Sequence, residues 1–537
     1  MSEQVFAHDL SDKEKSALFW ASFLALAAAG FGFAFRVWIG SSSSPYGSEL
    51  ALSNHEIGQI FGASLWPIAI TMIGFSLFVD RTGYKVPMFC AFALQVIAGV
   101  GTFFASSYGS LYLFALCAGL AHGVIEAVIN PVCAAIYPKE KTKWLTILHA
   151  SWPFGLVFGT LLIIATGGMT DSWRLHALWI LIPAAAYIWL YRGCRFPVDE
   201  RVQAGIPYAE MLRQVGFLTS SLAAFMMIYE IGNQLSELTS WSKPDNWFNM
   251  SILLGVITGI LFGAAWRTKD QNGKASGFMG QPLFFLMCLL MIPVATAELG
   301  TDQWIGKLTT PVLAGMDLNP AFAIVFSASI MLTFRVFAGG ILKLFHPPTL
   351  LCISGIFSAA GLFWLSSATG YSVLFAFILY ALGQTYYWPC VLGFTAERYP
   401  QGGALTLNTV SAIGLLSVGI VGGQLLGVGF DTSIHASVSE AAPQLAAAAS
   451  ETKTFLGMSH ELINPEQKDA FIAALPDEAA KTAATNTYAA ADKNAGRDIL
   501  KYAARFPAIL IVAFGCIAIY FRLRGGYKPV ELQSTDS

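Results

Sequence analysis

Residues 110–136 read SLYLFALCAGLAHGVIEAVINPVCAAI, and Glu126 is the one formally charged side chain among them. A helix that crosses the hydrocarbon layer of a membrane needs about 20 mostly apolar residues, since that layer is roughly 30 Å thick. The stretch therefore predicts a membrane-spanning helix. Thirteen further stretches share this character: 18–39, 56–79, 86–105, 145–167, 174–192, 214–235, 248–266, 281–298, 319–342, 347–366, 371–395, 403–430 and 505–524.

The composition of the whole chain agrees with a membrane protein. Of the 537 residues 55% are hydrophobic and 12% are charged, and the mean hydropathy is +0.58. A soluble protein carries about 25% charged residues, so the composition excludes a soluble enzyme, and no enzyme activity is expected. The formal net charge of −2 gives no support to a nucleic-acid partner. The eight cysteines suggest no disulfide framework, and the first 15 residues lack the layout of a cleaved signal peptide.

The basic residues predict how the chain crosses the membrane. Lys and Arg are enriched in the cytoplasmic loops of membrane proteins. With the N-terminus inside, nineteen basic residues fall on inside segments and three, Arg174, Lys243 and Lys307, fall on short outside loops. We therefore expect an integral protein of a bacterial cytoplasmic (inner) membrane with both termini in the cytoplasm.

The spans fall into groups of six, two and six, which suggests two related halves. Tyr137-Pro138 and Tyr399-Pro400 each end a span at the inner face and precede a short polar loop. Transporters are often built from such repeats. The predicted organisation is an N-terminal six-helix bundle at 1–192, a linker with two extra helices at 193–280, a C-terminal six-helix bundle at 281–524 that contains a long extracytoplasmic loop at 431–503, and a cytoplasmic tail at 525–537.

The loop after the second span, SLFVDRTGYK from Ser76 to Lys85, resembles the inner-loop signature of the major facilitator superfamily. The shared positions are Asp80, Arg81, Gly83 and Lys85. The resemblance implies an all-α polytopic fold of two six-helix bundles, here with an inserted pair and about 14 helices. It also implies that these four residues help to hold the inward gate shut.

A second resemblance lies in the fourth span. The stretch GVIEAVINP from Gly123 to Pro131 looks like the fucose:proton symporter and sugar permease branch of that superfamily. The acid at the matching position there is implicated in proton coupling, so the resemblance assigns proton coupling to Glu126. Glu126 is sixteen residues from the outer end of its span and ten from the inner end. A structural acid, hydrogen-bonded within the bundle, is the alternative.

The other ionisable groups within spans are few, and such groups normally face a cavity or a partner. Arg36, near the outer end of the first span, pairs with Glu126, binds substrate or extends to the headgroups. Glu298 occupies the matching outer end of the 281–298 span and is expected to line an outer vestibule. Arg335 and Glu397 are expected to form a gating ion pair near the inner face. Glu230, in the inserted pair, is expected to be peripheral to transport.

Uncharged side chains complete the predicted substrate site. Asn130 lies one helical turn from Glu126 and projects from the same face. Sugar sites commonly combine an aromatic face with amide and hydroxyl partners, although Tyr and Trp also occur as ordinary interfacial residues. The predicted substrate-binding residues are Arg36, Trp38, Asn130, His149, Trp152, Glu298, Gln384, Tyr386 and Tyr387. No metal-ligand constellation or phosphate-binding loop appears in the sequence.

These observations predict a secondary active transporter that moves a small polar solute by alternating access. A sugar or sugar derivative coupled to H⁺ is favoured, with Na⁺ as the other coupling ion, no cofactor and a monomer in the lipid bilayer. Two alternatives stay open. A proton-coupled drug or metabolite efflux antiporter fits fourteen spans, and a non-transporting membrane sensor or scaffold would use 431–503 as its working part.

Overall fold

The computed structural model describes residues 5–39, 49–50, 52, 54–167, 172–239, 241–265, 268–269, 275–301, 322–455 and 458–532. Helices make up most of this part of the chain. The helices of the first half are α1 (Asp12–Ile39), α2 (Asn54–Ala63), α3 (Trp66–Thr82), α4 (Lys85–Phe104), α5 (Tyr108–Ile136), α6 (Lys141–Leu148), α7 (Ser151–Gly167), α8 (Trp173–Ala177) and α9 (Leu181–Arg192). A short helix, α10 (Glu200–Gln203), follows.

The inserted pair consists of α11 (Tyr208–Leu238) and α12 (Trp247–Ala265), followed by a hairpin of β1 (Thr268–Lys269) and β2 (Ala275–Ser276). The helices of the second half are α13 (Pro282–Ala295), α14 (Phe322–Val336), α15 (Ala338–Leu344), α16 (Pro347–Leu365), α17 (Ser372–Gln384), α18 (Tyr387–Arg398), α19 (Gly403–Ser417) and α20 (Gly423–Ala441). The remaining elements are α21 (Pro443–Ala449), an antiparallel hairpin of β3 (Ser450–Phe455) and β4 (Met458–Ile463), α22 (Pro465–Ala473), α23 (Glu478–Ala503) and α24 (Arg505–Leu523).

The predicted membrane-spanning helical fold is confirmed, although the count of fourteen spans is not. In the described ranges twelve helices are long and apolar enough to cross a membrane, and there are thirteen if the pair α14–α15, bent by 60°, is counted as one span. The predicted span at 371–395 is divided between α17 and α18, each shorter than a full span. The predicted span at 319–342 begins outside the described residues.

Each half is a bundle of packed helices. In the first half α1 packs on α7 and α9, and α5 packs on α3 and α4. In the second half α13 packs on α19, and α16 packs on α17 and α24. The halves meet where α6 contacts α18, α3 contacts α19 and α7 contacts α14. These three contacts enclose the candidate site.

The inserted pair lies at the side of the bundles. Helix α11 packs on α12, α13 and α19. Near the C-terminal end of α11, Gln234 accepts a 3.0 Å hydrogen bond from the Tyr112 hydroxyl of α5 and donates one to Glu230 at 2.9 Å. Glu230 therefore belongs to a polar contact between α11 and the first half.

The segment 431–503 is folded in its described part. Helix α20 continues from the preceding span and packs against α23 around Phe430, Ile434, Val438 and Ile499, which are buried. The hairpin of β3 and β4 also packs on α20. The apolar cluster of the segment continues into α16 and α17 through Leu362 and Phe377, so the segment packs on the end of the second bundle.

Candidate functional site

Glu126 is buried within α5 and has polar partners one turn away on each side. Its side chain, with 8% of its surface exposed, accepts a 2.7 Å hydrogen bond from Asn130 Nδ2. His122 Nε2 lies 3.8 Å from the other carboxylate oxygen. The spacing i, i+4, i+8 places all three residues on one face of the helix.

His149 extends this group to the next span. Its Nε2 atom lies 2.9 Å from Asn130 Oδ1, so the imidazole donates to the amide oxygen. Trp152 stacks on His122, with ring centroids 5.2 Å apart and planes at 17°. The structure therefore brings together four predicted site residues, Glu126, Asn130, His149 and Trp152.

The span that carries His149 is interrupted there for a reason visible in the sequence. Pro153 has no backbone N–H, so the carbonyl oxygen of His149 cannot receive the usual helical hydrogen bond from the residue four positions later. Helix α6 ends at Leu148 and α7 begins at Ser151. The free carbonyl oxygen of His149 accepts a 3.0 Å hydrogen bond from Arg335 Nη1 of the second half.

The second half contains a matching interruption. Pro389 leaves the carbonyl oxygen of Thr385 without its helical partner in the same way, at the break between α17 and α18. Arg335 Nε donates to this oxygen at 2.8 Å. One guanidinium thus binds two carbonyl oxygens that two prolines have freed, one in each half.

Glu298 completes the group around Arg335. The two side chains form a 2.8 Å ion pair and are almost completely buried, with exposures of 2% for Arg335 and 4% for Glu298. The other carboxylate oxygen accepts a 3.2 Å hydrogen bond from the backbone N–H of Trp388, at the start of α18. The C-terminal end of a helix carries a partial negative charge and the N-terminal end a partial positive charge. Arg335 at the end of α17 and Glu298 at the start of α18 therefore complement both helix dipoles at the break.

The position of Glu298 differs from the expected outer vestibule. After α13 the chain continues in a π-helical turn, Thr296–Gly300. This turn extends the span to Gly300, and Glu298 within it is buried in contact with Arg335. Such π-helical turns occur often at functional sites.

The expected ion pair between Arg335 and Glu397 does not form. Glu397 lies twelve residues beyond Thr385, roughly 18 Å along a helix. It accepts hydrogen bonds from the backbone N–H of Thr142, at 3.2 Å, and from the Thr142 hydroxyl. The Tyr527 hydroxyl donates to it at 2.7 Å. Glu397 therefore links the start of α6 to the end of α18.

Thr142 and Glu397 lie on the face of the molecule that carries the basic loops, here called the basic face. Asp80, at the end of α3, forms an ion pair with Arg201 of α10. Gly83 ends α3 with a φ of 65°, a left-handed conformation that favours glycine. Lys85 Nζ lies 3.5 Å from a backbone carbonyl oxygen, and Arg81 is exposed.

Residues between the first half and the inserted pair also join the halves at this face. Asp199 accepts hydrogen bonds from the Tyr84 hydroxyl and from the backbone N–H of Ala404 in α19, both at 3.0 Å. Lys141 Nζ forms a 2.7 Å ion pair with Glu200 and donates to the carbonyl oxygen of Ala396 at 3.2 Å. Burial raises the pKa of Glu200, although Lys141 opposes the shift.

Asn408 is a contact between the halves that the sequence analysis missed. From α19 its Nδ2 atom donates to Ser76 Oγ at 2.7 Å and to the carbonyl oxygen of Ala127 at 3.1 Å. Ala127 is four residues before Pro131, so its oxygen also lacks a helical partner. Pro131 was the signal available in the sequence, because a proline inside a span leaves the carbonyl oxygen four residues earlier without its helical partner.

The remaining predicted substrate residues are placed differently. The Tyr386 hydroxyl donates to the carbonyl oxygen of Phe334 at 2.9 Å, and that of Tyr387 reaches the carbonyl oxygen of Ser354 at 3.5 Å. Both hydroxyls thus serve helix packing. Arg36 lines a separate cavity within the first half, and its guanidinium makes no ion pair with Glu126. The backbone of Trp38 belongs to α1, but its side chain lies outside the described residues.

Some hydrogen-bonding atoms near the contact between the halves have no protein partner. Gln384 Nε2 lies 3.4 Å from Ser327 Oγ, whereas Gln384 Oε1 is buried without a partner. Asn408 Oδ1 and Ser411 Oγ are also buried and unpartnered. Buried polar atoms normally find a partner, so these atoms are candidates for solute contacts. In the described ranges, no group of three or more His, Cys, Asp or Glu residues is arranged to hold a metal ion.

The family model of the Major Facilitator Superfamily matches residues 18–428. The chain belongs to this superfamily. Members are membrane transporters, and the chain is accordingly an integral membrane protein of that class. Synaptic vesicular amine transporters of Rattus norvegicus and Mus musculus match at 25% and 24% identity over 171 residues, 31% of this chain. The matched part spans about a third of the length of these curated relatives, 33% and 32%.

Solved structures with the same fold cover most of the chain. The E. coli proton:xylose symporter XylE is similar with a TM-score of 0.55 at 15% identity, over 80% of this chain and 91% of its own. The human organic anion transporter MFSD10 gives 0.57 at 11% identity, over 93% and 99%. The E. coli fucose:proton symporter FucP gives 0.50 at 12% identity, over 91% and 98%. These likenesses show the fold.

Proposed function

We propose that this superfamily member transports a small neutral polar solute, a sugar or sugar derivative, together with protons by alternating access. The observation that carries the proposal is the hydrogen-bonded series from Glu126 through Asn130 and His149 to Arg335. It begins at a buried acid in the first half and ends at an ion pair in the second. It therefore links a group that can bind a proton to a contact that must change when the halves move.

Glu126 is the proposed proton-binding group. Its carboxylate accepts from Asn130, and the amide of Asn130 in turn accepts from His149. When Glu126 binds a proton, the negative charge that favours this arrangement is lost, and the imidazole of His149 becomes less firmly held. Because the carbonyl oxygen of the same residue binds Arg335, the change reaches the contact between the halves.

The chemistry around this series favours an uncharged solute. Arg335 and Glu298 neutralise each other, and the free buried atoms include two amide oxygens, Gln384 Oε1 and Asn408 Oδ1. Amide oxygens accept hydrogen bonds and need donors such as hydroxyl groups. Trp152 adds an aromatic surface of the kind that sugars contact. Two proteins with this fold are named as proton symporters of xylose and fucose, so sugars are the first solutes to test.

In the proposed cycle the basic face is cytoplasmic, as the distribution of Lys and Arg predicts. The contacts of Asn408, Glu397 and Asp199 between the halves then form the closed inner gate. Asp80 and Arg201 hold the loop between α3 and α4 in place beside it. Opening toward the cytoplasm requires these contacts to separate together.

Uptake into proteoliposomes tests the coupling. Glu126→Gln keeps an oxygen that can accept from Asn130 but cannot exchange a proton. We expect this variant to lose accumulation driven by a pH gradient while it keeps exchange of labelled solute across the membrane. The matched control is Glu230→Gln, which also neutralises an acid within a span, here a half-buried one, and it should keep accumulation near that of the wild type.

The solute is identified first, by the increase in melting temperature of the purified protein with sugars, organic acids, nucleosides and amines. Accumulation by Glu126→Gln equal to that of the wild type would exclude Glu126 as the coupling group. A stabilising effect from amines or organic acids alone, with none from sugars, would contradict the proposed class of solute.

A further inference from the structure

A second cavity lies inside the first half, away from the contact between the halves. It has a volume of about 50 Å³, is open on one side, and is lined by α1, α2, α4, α5 and the α8–α9 region. Phe31, Phe35 and Phe114 give it an aromatic lining, while Arg36, Thr102 and His176 are its polar lining residues. The cavity therefore combines apolar walls with a guanidinium group.

Arg36 is directed into the protein and not toward the near end of its helix. A Cβ atom placed on Gly32, one turn back along α1, would lie 3.3 Å from Arg36 Nη1. The side chain thus folds back toward the middle of the helix, the direction that helical side chains prefer. An arginine that extends to the lipid headgroups would point the other way.

The guanidinium lacks a compensating charge within the part of the chain that the structure describes. Arg36 Nε is buried without a hydrogen-bond partner, and Arg36 takes part in none of the ion pairs with described carboxylates. Arg36 as a whole is partly buried, and a charge within a membrane span is unfavourable when it has no partner. By contrast, Arg335 in the second half is buried and has a carboxylate and two carbonyl oxygens as partners.

The geometry points to an anion-binding site at Arg36, for a singly charged group carried on an apolar body. A carboxylate or phosphodiester oxygen accepts from the guanidinium, and phenyl rings border the adjoining apolar part, which extends through the open side of the cavity. Because the cavity is lined by helices of one half, its occupant would move with that half. The site is therefore one for a bound modulator or lipid, separate from the proposed transport route.

Two sources share this chemistry, a free aromatic carboxylate and an anionic lipid headgroup. Benzoate, with benzyl alcohol as the uncharged analogue, probes the first source by the melting temperature of the protein in a neutral detergent. Nanodiscs of phosphatidylcholine with or without phosphatidylglycerol probe the second. Arg36→Met keeps much of the side-chain volume and removes the charge, and Gly32→Ala keeps the charge and narrows the space beside Nη1.

We expect benzoate or phosphatidylglycerol to stabilise the wild-type protein, and benzyl alcohol to have less effect. The affinity should fall roughly tenfold or more in Arg36→Met, because a hydrogen bond to a charged group is lost. Gly32→Ala should also weaken binding. Without anions, Arg36→Met should be at least as stable as the wild type, so that poor folding is distinguishable from lost binding.

A response to benzoate identifies the free carboxylate, and a response to phosphatidylglycerol alone identifies the lipid. No charge-dependent response to either, or responses that Arg36→Met leaves unchanged, would overturn the proposal. Glu126→Gln should keep anion binding. The test is thus independent of the proton-coupled transport proposed above.

Discussion

Replacing Arg335 with methionine removes the guanidinium and leaves much of the side-chain volume. Three hydrogen bonds disappear, to Glu298, to the carbonyl oxygen of Thr385 and to that of His149. Glu298 stays buried without its cation. Removing one partner of a buried ion pair costs about 3–5 kcal/mol, since the remaining charge is uncompensated. We expect the free energy of unfolding of Arg335→Met to fall by about that amount.

A double-mutant cycle isolates the pair from the rest of the network. Glu298→Gln, Arg335→Met and the double variant are unfolded at equilibrium in mixed micelles as the fraction of denaturing detergent rises. The double variant has no unpaired charge at this position, so it should be more stable than the sum of the single effects predicts. We expect a coupling free energy of about 2 kcal/mol, within the range for side chains in direct contact.

The control is Arg81→Met, which makes the same substitution at an exposed position. Surface substitutions usually change stability by less than about 0.5 kcal/mol. A loss of stability in Arg335→Met no larger than that of this control, or additive effects in the cycle, would show that the ion pair does not stabilise the second half.

Two further substitutions test the contact between the halves. Asn408→Leu removes two hydrogen bonds to the first half, each worth about 1 kcal/mol, so the closed arrangement of the halves becomes less favourable. A Thr142→Cys probe, in a background without native cysteines, should then react faster with a maleimide reagent. An unchanged reaction rate would show that Asn408 does not help to keep the halves closed. Pro389→Ala restores a backbone N–H that competes with Arg335 for the carbonyl oxygen of Thr385, so transport should slow while stability is kept or increased. Transport at the wild-type rate would show that the break in this span is dispensable.

The membrane-spanning helices were predictable because their signal is local. Hydrophobic length decides whether a segment crosses the membrane, and this property can be read from one stretch at a time. The clustering of Glu126 and Asn130 followed from helical spacing alone. Both inferences need only neighbouring residues, so packing between distant segments could not alter them.

The partners of Arg335 were not predictable in the same way. Glu298 was assigned to the end of its span because the apolar run stops there. The π-helical turn at Thr296–Gly300 continues the helix and places the acid at the depth of Arg335. Glu397 has a suitable charge, but it lies too far along its helix. Depth within a bundle depends on such turns and on helix tilt, which hydropathy does not report.

The prolines were a signal that hydropathy analysis does not use. Pro131, Pro153 and Pro389 each lie four residues after a carbonyl oxygen that accepts a side-chain hydrogen bond in the structure. In a membrane each such oxygen needs a partner. Searching spans for prolines would have marked Ala127, His149 and Thr385 as sites where a polar side chain must arrive. It would not have identified that side chain.

The distribution of these bonds defines where the halves can separate. Arg335, Glu298 and Thr385 belong to the second half, so their mutual contacts persist when the halves move apart. The bond from Arg335 to His149 crosses the boundary and must break in the proposed transport cycle. His149 is also the residue whose side chain is joined through Asn130 to Glu126. In the proposed transport cycle, a proton on Glu126 therefore acts next to a bond that resists opening, which is the arrangement that the proposed coupling requires.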